Sequence, residues 1–321
     1  MIRHLLQAVS PGGEKARLSI LIFHRVIAQP DPLFPEGLHA ARFDAICRWL
    51  RAWCNVLPLE HGLTLLRDGT LPPRAAAITF DDGYADNHDV AWPILQRHGL
   101  TATIFVATGY VGFGRMWNDI VIDAVRYAAP GRLQVPVLET LGMAMPYLGD
   151  AQSRRATIDR LLEAIKYFPP DERDRIARRL ATGTGAELNA SPMMSRQQIL
   201  ALRKGGMGIG AHTVTHPILA GISDDQARAE MRNSKYWLED LLDEPVALFA
   251  YPNGKRDKDY GPQHAAMACE LGFHAALSTD WGVARRGTDC FQLPRFSPWG
   301  TSRLRYGLGL WQNLRSVGAK T

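Results

Sequence analysis

Two short stretches of the sequence carry residue types that could do chemistry together. Ala75-Ala-Ala-Ile-Thr-Phe-Asp-Asp-Gly-Tyr84 starts as a run of small and apolar residues and ends in two adjacent carboxylates and a glycine. Successive residues of a strand point to opposite faces, so Asp81 and Asp82 share one site only if the strand ends there. Gly83 permits the sharp turn that such an ending needs. Met207-Gly-Ile-Gly-Ala-His-Thr-Val-Thr-His-Pro217 likewise reads as a short strand, running into His212 and His216. Two imidazoles four residues apart can meet one metal ion if the segment coils for a turn. One carboxylate added to them makes three protein ligands and leaves a position open for water, the pattern of a catalytic rather than a structural site. Each stretch alone also has a bland reading, a surface Asp-Asp-Gly turn or a histidine pair with no ligand. Together they favour the metal site.

In that combination, Thr79-Phe-Asp-Asp-Gly83 and His212-Thr-Val-Thr-His216 resemble the first and second motifs of the polysaccharide deacetylases, the NodB-homology group or carbohydrate esterase family 4. Phe249-Ala-Tyr-Pro-Asn-Gly254 resembles the third motif more loosely, and Leu293-Pro-Arg295 a later strand, so the similarity runs in order from about Leu18 to Arg295. The resemblance implies an α/β fold, an irregular (β/α)7-type barrel with a mostly helical inserted segment and the motifs at the carboxyl ends of strands. It also implies a hydrolase that removes N-acetyl groups from an amino sugar in a polysaccharide or glycan precursor, in exopolysaccharide or surface-glycan synthesis.

The same resemblance distributes roles. Asp82, His212 and His216 hold a divalent metal, Zn2+ first, with Co2+, Ni2+, Fe2+ and Mn2+ as alternatives. Asp81 is the general base, and the Tyr251–Gly254 loop, with Tyr251 and Asn253, meets the oxyanion and the substrate. His24 ends the strand-like run Leu18-Ser-Ile-Leu-Ile-Phe-His24. From its position alone it reads as a hydrogen-bonded structural residue. One branch of the family, however, takes its active-site histidine from this strand, and no leucine-x-histidine motif follows Arg295 to supply another. His24 is then the acid that protonates the departing amine, Asp280 its orienting partner and Arg295 the partner of Asp81. The chain departs from the family pattern at Ala250, where many members carry an arginine that pairs with the base, and at Asn253, where they carry an aromatic residue. Either Arg295 substitutes for that arginine, or the base is tuned differently.

Deformylation of a lipid-linked amino sugar and hydrolysis of a cyclic amide would use the same fold and first motif. A non-catalytic glycan-binding module has no use for a second carboxylate beside a metal, and an open three-ligand site without cysteine argues against structural zinc.

The elements that must position these residues follow from length and periodicity. The chain has 321 residues, 46% hydrophobic and 21% charged, which fits one α/β domain with an elaboration. Strands are expected at 18–24, 56–57, 75–80, 101–107, 246–250 and 274–278. Helices are expected at 39–53, 87–98, 117–129 and 262–271, with a small one ending near Arg67. Ser195 with Gln198, and Ser223 with Gln226, read as capping boxes that open two more. Alternation breaks over 109–195, an insertion beside the active site that also holds a hairpin between Leu133 and Leu148 and helices over 153–168 and 170–180. Residues 302–321 form an amphipathic tail, expected to pack on the barrel; contact with a bilayer surface, or a dimer, is the alternative.

Cys47 and Cys54 lie on one predicted helix, about 10 Å apart along its axis and too far for a disulfide. Nothing requires Cys269 and Cys290 to pair. With no secretory h-region and no apolar run of about 20 residues, the expected location is the cytoplasm, at or near the inner face of the membrane. The net charge of +5 reads as solubility charge, or as attraction to anionic head groups or an anionic glycan carrier. No basic arm or nucleic-acid motif is visible, so the expected partner is an N-acetylated glycan, with peripheral membrane contact through the tail.

Overall fold

The computed structural model describes residues 2–188, 191–297, 300 and 302–316. The chain divides into two units, a larger one of residues 1–28, 38–111 and 194–321 and a smaller one of 29–37 and 112–193.

In the larger unit the first strands are β1 (Arg17–Phe23), β2 (Asn55–Val56), β3 (Ala75–Phe80) and β4 (Thr103–Val106). The smaller unit holds β5 (Gly131–Arg132) and β6 (Tyr147–Leu148). The larger unit resumes with β7 (Gly208–Ala211), β8 (Leu248–Ala250), β9 (Ala275–Trp281), β10 (Ala284–Arg285) and β11 (Leu293–Arg295). Its sheet runs β10-β1-β3-β4-β7-β8-β9-β11, with β2 beside β3. All neighbours pair parallel except β10, which is antiparallel to β1. The N–H of Phe296 donates to the Ile20 carbonyl (2.7 Å), and the N–H of Ile22 donates to the Phe296 carbonyl (3.1 Å). That seam brings the end of β11 back onto β1 and nearly closes the nine-stranded sheet into the expected irregular barrel.

Strand parity sorts the side chains. Leu18, Ile20, Ala75, Ala77, Phe105, Leu248 and Leu277 fill one cluster, and Leu21, Phe23, Ala76, Ile78 and Phe80 fill another with the helices. Every residue of β3 is buried, as its unbroken run of small and apolar residues requires. Phe43, Ile46 and Leu50 seat helix Ala40–Trp53 on the sheet. Both predicted capping boxes are present, opening helices Arg196–Lys204 and Asp224–Leu242.

Several expectations need correction. The helix expected over 87–98 is a π turn at Asn87–Ala91 followed by helix Trp92–His98. Pro93 explains the break, because it has no N–H for the helical ladder. The strand expected over 246–250 begins only at Leu248. Glu239 accepts from the Val246 N–H (3.0 Å) and Lys235 donates to its carbonyl (2.7 Å), removing Val246 from the ladder. In the smaller unit no simple hairpin spans Leu133 to Leu148. β5 and β6 pair across a connection that contains helix Val137–Thr140. The helix expected from Ser153 starts at Ala151, because Asp150 is the N-cap and Ser153 closes its capping box. This unit has its own core, with Ile120, Ala124, Ile158, Leu161, Ile176 and Leu180 at its centre. Arg126 clamps Asp31 through two hydrogen bonds of 3.0 and 2.6 Å.

Helix Ile2–Val9 and strand β10 were not legible in the sequence. The tail is helix Arg303–Arg315, packed through Tyr306, Leu310, Asn313 and Leu314. Asn313 accepts from the Ser19 hydroxyl and donates to the Gly282 carbonyl, both at 2.7 Å. Arg17 and Arg285 donate to the carbonyls of Leu314 and Ser316 at the helix end. Residues 317–321 of the expected tail lie outside the described residues. Among the described residues no helix is long and apolar enough to cross a membrane, and the four cysteines are free.

Candidate active site

Asp81 follows the last residue of β3 in the register of Ala75, Ala77 and Thr79. It is buried, and Arg295 of β11 grips it with two hydrogen bonds of 2.7 Å each. The guanidinium is itself fixed, because Nε donates to the Ser278 carbonyl at 2.7 Å. Burial works to raise the Asp81 pKa, but Arg295, with His212 and His24 nearby, holds it below the ordinary carboxylate value. The carboxylate stays charged.

Asp82 leaves the strand in the left-handed region, with φ of 77°. That turn breaks the alternation that would have sent it to the opposite face. Gly83 continues at φ 86°, and a Cβ there would stand 3.1 Å from Val106 Cγ1, so the position suits glycine on both counts. Asp82 Oδ1 lies 3.4 Å from His212 Nε2 and 3.3 Å from His216 Nε2. Burial would raise its pKa too, but the histidines drive it well down. Asp81 sits one step back, 4.0 Å from His212 Nε2.

The two histidines are set by β7 and the turn after it. His212 Nδ1 is 2.7 Å from the Ala250 carbonyl, so it carries a hydrogen and turns Nε2 towards Asp82. Thr213 and His216 both have positive φ, 64° and 54°, and the Thr213 hydroxyl accepts from the His216 N–H at 3.1 Å. Glu230, on helix Asp224–Leu242, braces the turn from outside. It accepts from the N–H groups of Val214 (2.7 Å) and Thr215 (2.8 Å) and from the Thr215 hydroxyl (2.7 Å).

The ligand-capable atoms of Asp82, His212 and His216 all lie within 4.8 Å of one another. Ligand atoms on a tetrahedral ion with bonds of about 2.1 Å stand about 3.4 Å apart, which matches the two separations from Asp82. Among the described residues Asp82 Oδ1 has no hydrogen-bond partner although it is buried, and a buried carboxylate oxygen needs a partner. The donor set, two imidazoles and one carboxylate, fits a divalent metal such as zinc.

The remaining expected residues are placed less uniformly. His24 is exposed just beyond β1, and its charge acts on both aspartates. Its carbonyl accepts from Asn87 Nδ2 at 2.9 Å. Asp86 holds the same segment through Arg25 (2.8 Å) and the Val26 N–H (3.0 Å). Asp280 does not bond His24; its carboxylate lies 3.9 Å from Arg256 Nε. Tyr251 is also not free to meet an oxyanion. Its N–H donates to the Leu277 carbonyl, its hydroxyl donates to the Phe291 carbonyl at 2.9 Å, and its ring stacks on Tyr260 at 3.8 Å. Asn253 sits in the left-handed region at φ 58°, and among the described residues its N–H has no hydrogen-bond partner.

Glu230, Asp86 and Asn87 escaped the sequence reading. Asp86 and Asn87 stand close behind the first motif and could have been suspected. Glu230 reads as an ordinary polar position on a long helix, and only tertiary packing shows its role.

The family model described as polysaccharide deacetylase matches residues 68–126 and 176–275. YxkH of Bacillus subtilis, whose name assigns it to polysaccharide deacetylases, is 21% identical over 282 residues, 87% of this chain and 71% of that protein. The poly-beta-1,6-N-acetyl-D-glucosamine N-deacetylase of Staphylococcus aureus is 33% identical over 73 residues, 22% of this chain and 25% of its own length. Among solved structures, the Streptococcus pyogenes deacetylase PplD in complex with acetate superposes with a TM-score of 0.59 at 19% identity, covering 94% of this chain and 99% of its own. IcaB from Ammonifex degensii gives the same TM-score at 17% identity, covering 94% and 98%. These structural likenesses carry the fold.

Proposed function

The chain belongs to the polysaccharide deacetylase family, and from that premise we propose that it is a metal-dependent hydrolase removing N-acetyl groups from amino-sugar residues of a polysaccharide or its precursor. The observation that carries the reading is the pairing of two unlike carboxylates. Asp82 faces two imidazoles with an oxygen that has no hydrogen-bond partner among the described residues, and Asp81 beside it is buried, charged and locked by Arg295. A metal bound by Asp82, His212 and His216, zinc in this proposal, would supply Lewis acidity towards the amide carbonyl and acidify a water.

The chain's own residues do the rest. Asp81 takes the proton of the attacking water, and Arg295 fixes the orientation in which it does so. The Asn253 N–H offers a donor to the developing oxyanion in place of Tyr251. His24, exposed at the end of β1, donates a proton to the departing nitrogen, since an amine leaves poorly until protonated. The S. aureus relative is named for poly-beta-1,6-N-acetyl-D-glucosamine, and a β-linked N-acetylglucosamine polymer is the substrate class proposed here.

Acetate release from β-1,6- and β-1,4-linked N-acetylglucosamine oligomers tests the reading, with and without chelator and for an Asp82→Ala variant. Release that stops with chelator and in the variant is expected. Failure of the folded protein to take up any divalent metal would sink the mechanism. Metal uptake without acetate release from either oligomer would sink the substrate class.

A further inference from the structure

We propose that the outer faces of helices Ile2–Val9 and Arg303–Arg315, with the adjoining end of Ala40–Trp53, form a docking surface for an anionic lipid bilayer. The three helices lie together. Ile2 meets Gly307, Trp49 packs on Tyr306 at 5.5 Å, and Arg303 lies 5.6 Å over Trp53. A groove of about 540 Å³ runs between them, with Arg3, Ala52, Arg303 and Leu304 among the residues on its walls.

Charge is concentrated here. The three helices carry seven arginines, no lysine and one acidic residue, Asp44. Their formal surplus is six positive charges, whereas the whole chain carries +5, so the rest of the chain is slightly negative. Asp44 is already engaged by Arg48 and His98 and does not offset the others. Guanidinium forks match phosphate geometry better than ammonium groups do.

The apolar component separates a bilayer from other polyanions. Leu304 and Leu308 fall four residues apart on the outer stripe of the C-terminal helix, half-buried Trp311 borders them, and Tyr306, Leu310 and Leu314 fill its inner face. Leu304 is 53% exposed, Leu308 39% and Leu5 of the N-terminal helix 37%. Arg315 stacks over Trp311 at 4.5 Å. Exposed leucines standing among arginines gain from the boundary between head groups and acyl chains, and gain nothing from a nucleic-acid backbone. Neither helix needs to span the bilayer for this.

The test is sedimentation of the full chain with vesicles of phosphatidylcholine alone and with 30% phosphatidylglycerol, at low and high salt. The expected result is binding to the anionic vesicles only, weakened by salt. Arg3→Glu/Arg303→Glu should weaken it by roughly 30-fold or more, with metal uptake unchanged. Leu304→Ser/Leu308→Ser should abolish the part that survives high salt. Arg178→Glu, in the smaller unit, should change nothing. Equal binding to both vesicle types, no binding to anionic vesicles at low salt, or full binding by the arginine double variant would each overturn the proposal. Tighter binding to duplex DNA than to the vesicles would reassign the surface to a soluble polyanion.

Discussion

Asp81 and Arg295 are a buried ion pair, and pairs of that kind do not by themselves argue for stability, because desolvation offsets most of the attraction. Their value here lies in acidity. Loss of the guanidinium leaves burial unopposed by its strongest partner, so Arg295→Met should move the acidic limb of kcat/KM to higher pH, with metal content retained. A pH–rate profile checks this, and an unmoved limb would mean that Arg295 only packs. Asp81→Asn should keep its metal and lose roughly 100- to 10,000-fold in kcat. Because the folded-state pKa of Asp81 is lowered, the charge contributes stability above the ordinary carboxylate pKa, and that stability is lost as pH falls through the folded value. His212 is shifted the other way. Burial lowers its pKa, but Asp81 and Asp82 together raise it above the ordinary histidine value. Its charged form therefore stabilises the metal-free protein below that ordinary value, and the contribution disappears as pH rises through the folded one. Metal binding must expel that proton. Titration calorimetry near neutral pH should show a binding enthalpy that varies with the ionisation enthalpy of the buffer. At this scale much was legible, since Asp81, Asp82, His212 and His216 stand in short motifs whose spacing carries the geometry. The tie of Asp280 to His24 was not, because a carboxylate's partner is chosen by loops whose path the sequence does not reveal.

Among the elements, helix Asp224–Leu242 does more than cover the sheet. Its Glu230 satisfies three donors of the turn that places His216, and two residues of that turn, Thr213 and His216, hold left-handed backbone that costs energy in residues other than glycine. Glu230→Gln has a single acceptor oxygen for three donors and should lower metal affinity by roughly 10- to 100-fold while leaving the fold intact. Competition with a zinc indicator would measure it, and unchanged affinity would show that the turn holds itself. Gly83→Ala meets both a positive φ and Val106, and should cost more than about 1 kcal/mol in denaturant unfolding. Helices announced by capping boxes and apolar stripes were readable to within a residue or two. The π turn was not, although Pro93 is its cause, because proline marks a break without saying how the chain passes it. Helix Ile2–Val9 was missed because eight residues give too short a window for periodicity to speak.

For the molecule as a whole, metal and stability are linked. If the cluster of Asp82, His212 and His216 binds metal only in the folded state, free zinc at 100 times its dissociation constant should add about 2.7 kcal/mol to unfolding, and chelation should remove it. A melting temperature indifferent to chelator would separate the cluster from the fold. The parallel pairing of the barrel strands could be read from the alternation of strands and helices. The inclusion of residues 29–37 with the inserted unit could not, since it depends on pairs such as Asp31 with Arg126 that are 95 residues apart. The ring itself closes at one place, where Phe296 exchanges two hydrogen bonds with β1. The residue just before it is Arg295, which grips Asp81. Closure of the barrel and ionisation of the base therefore share one joint, and loosening of that seam would register first as a drift in acidity, before any loss of secondary structure. The protein carries an internal gauge of its own integrity, read out in protons.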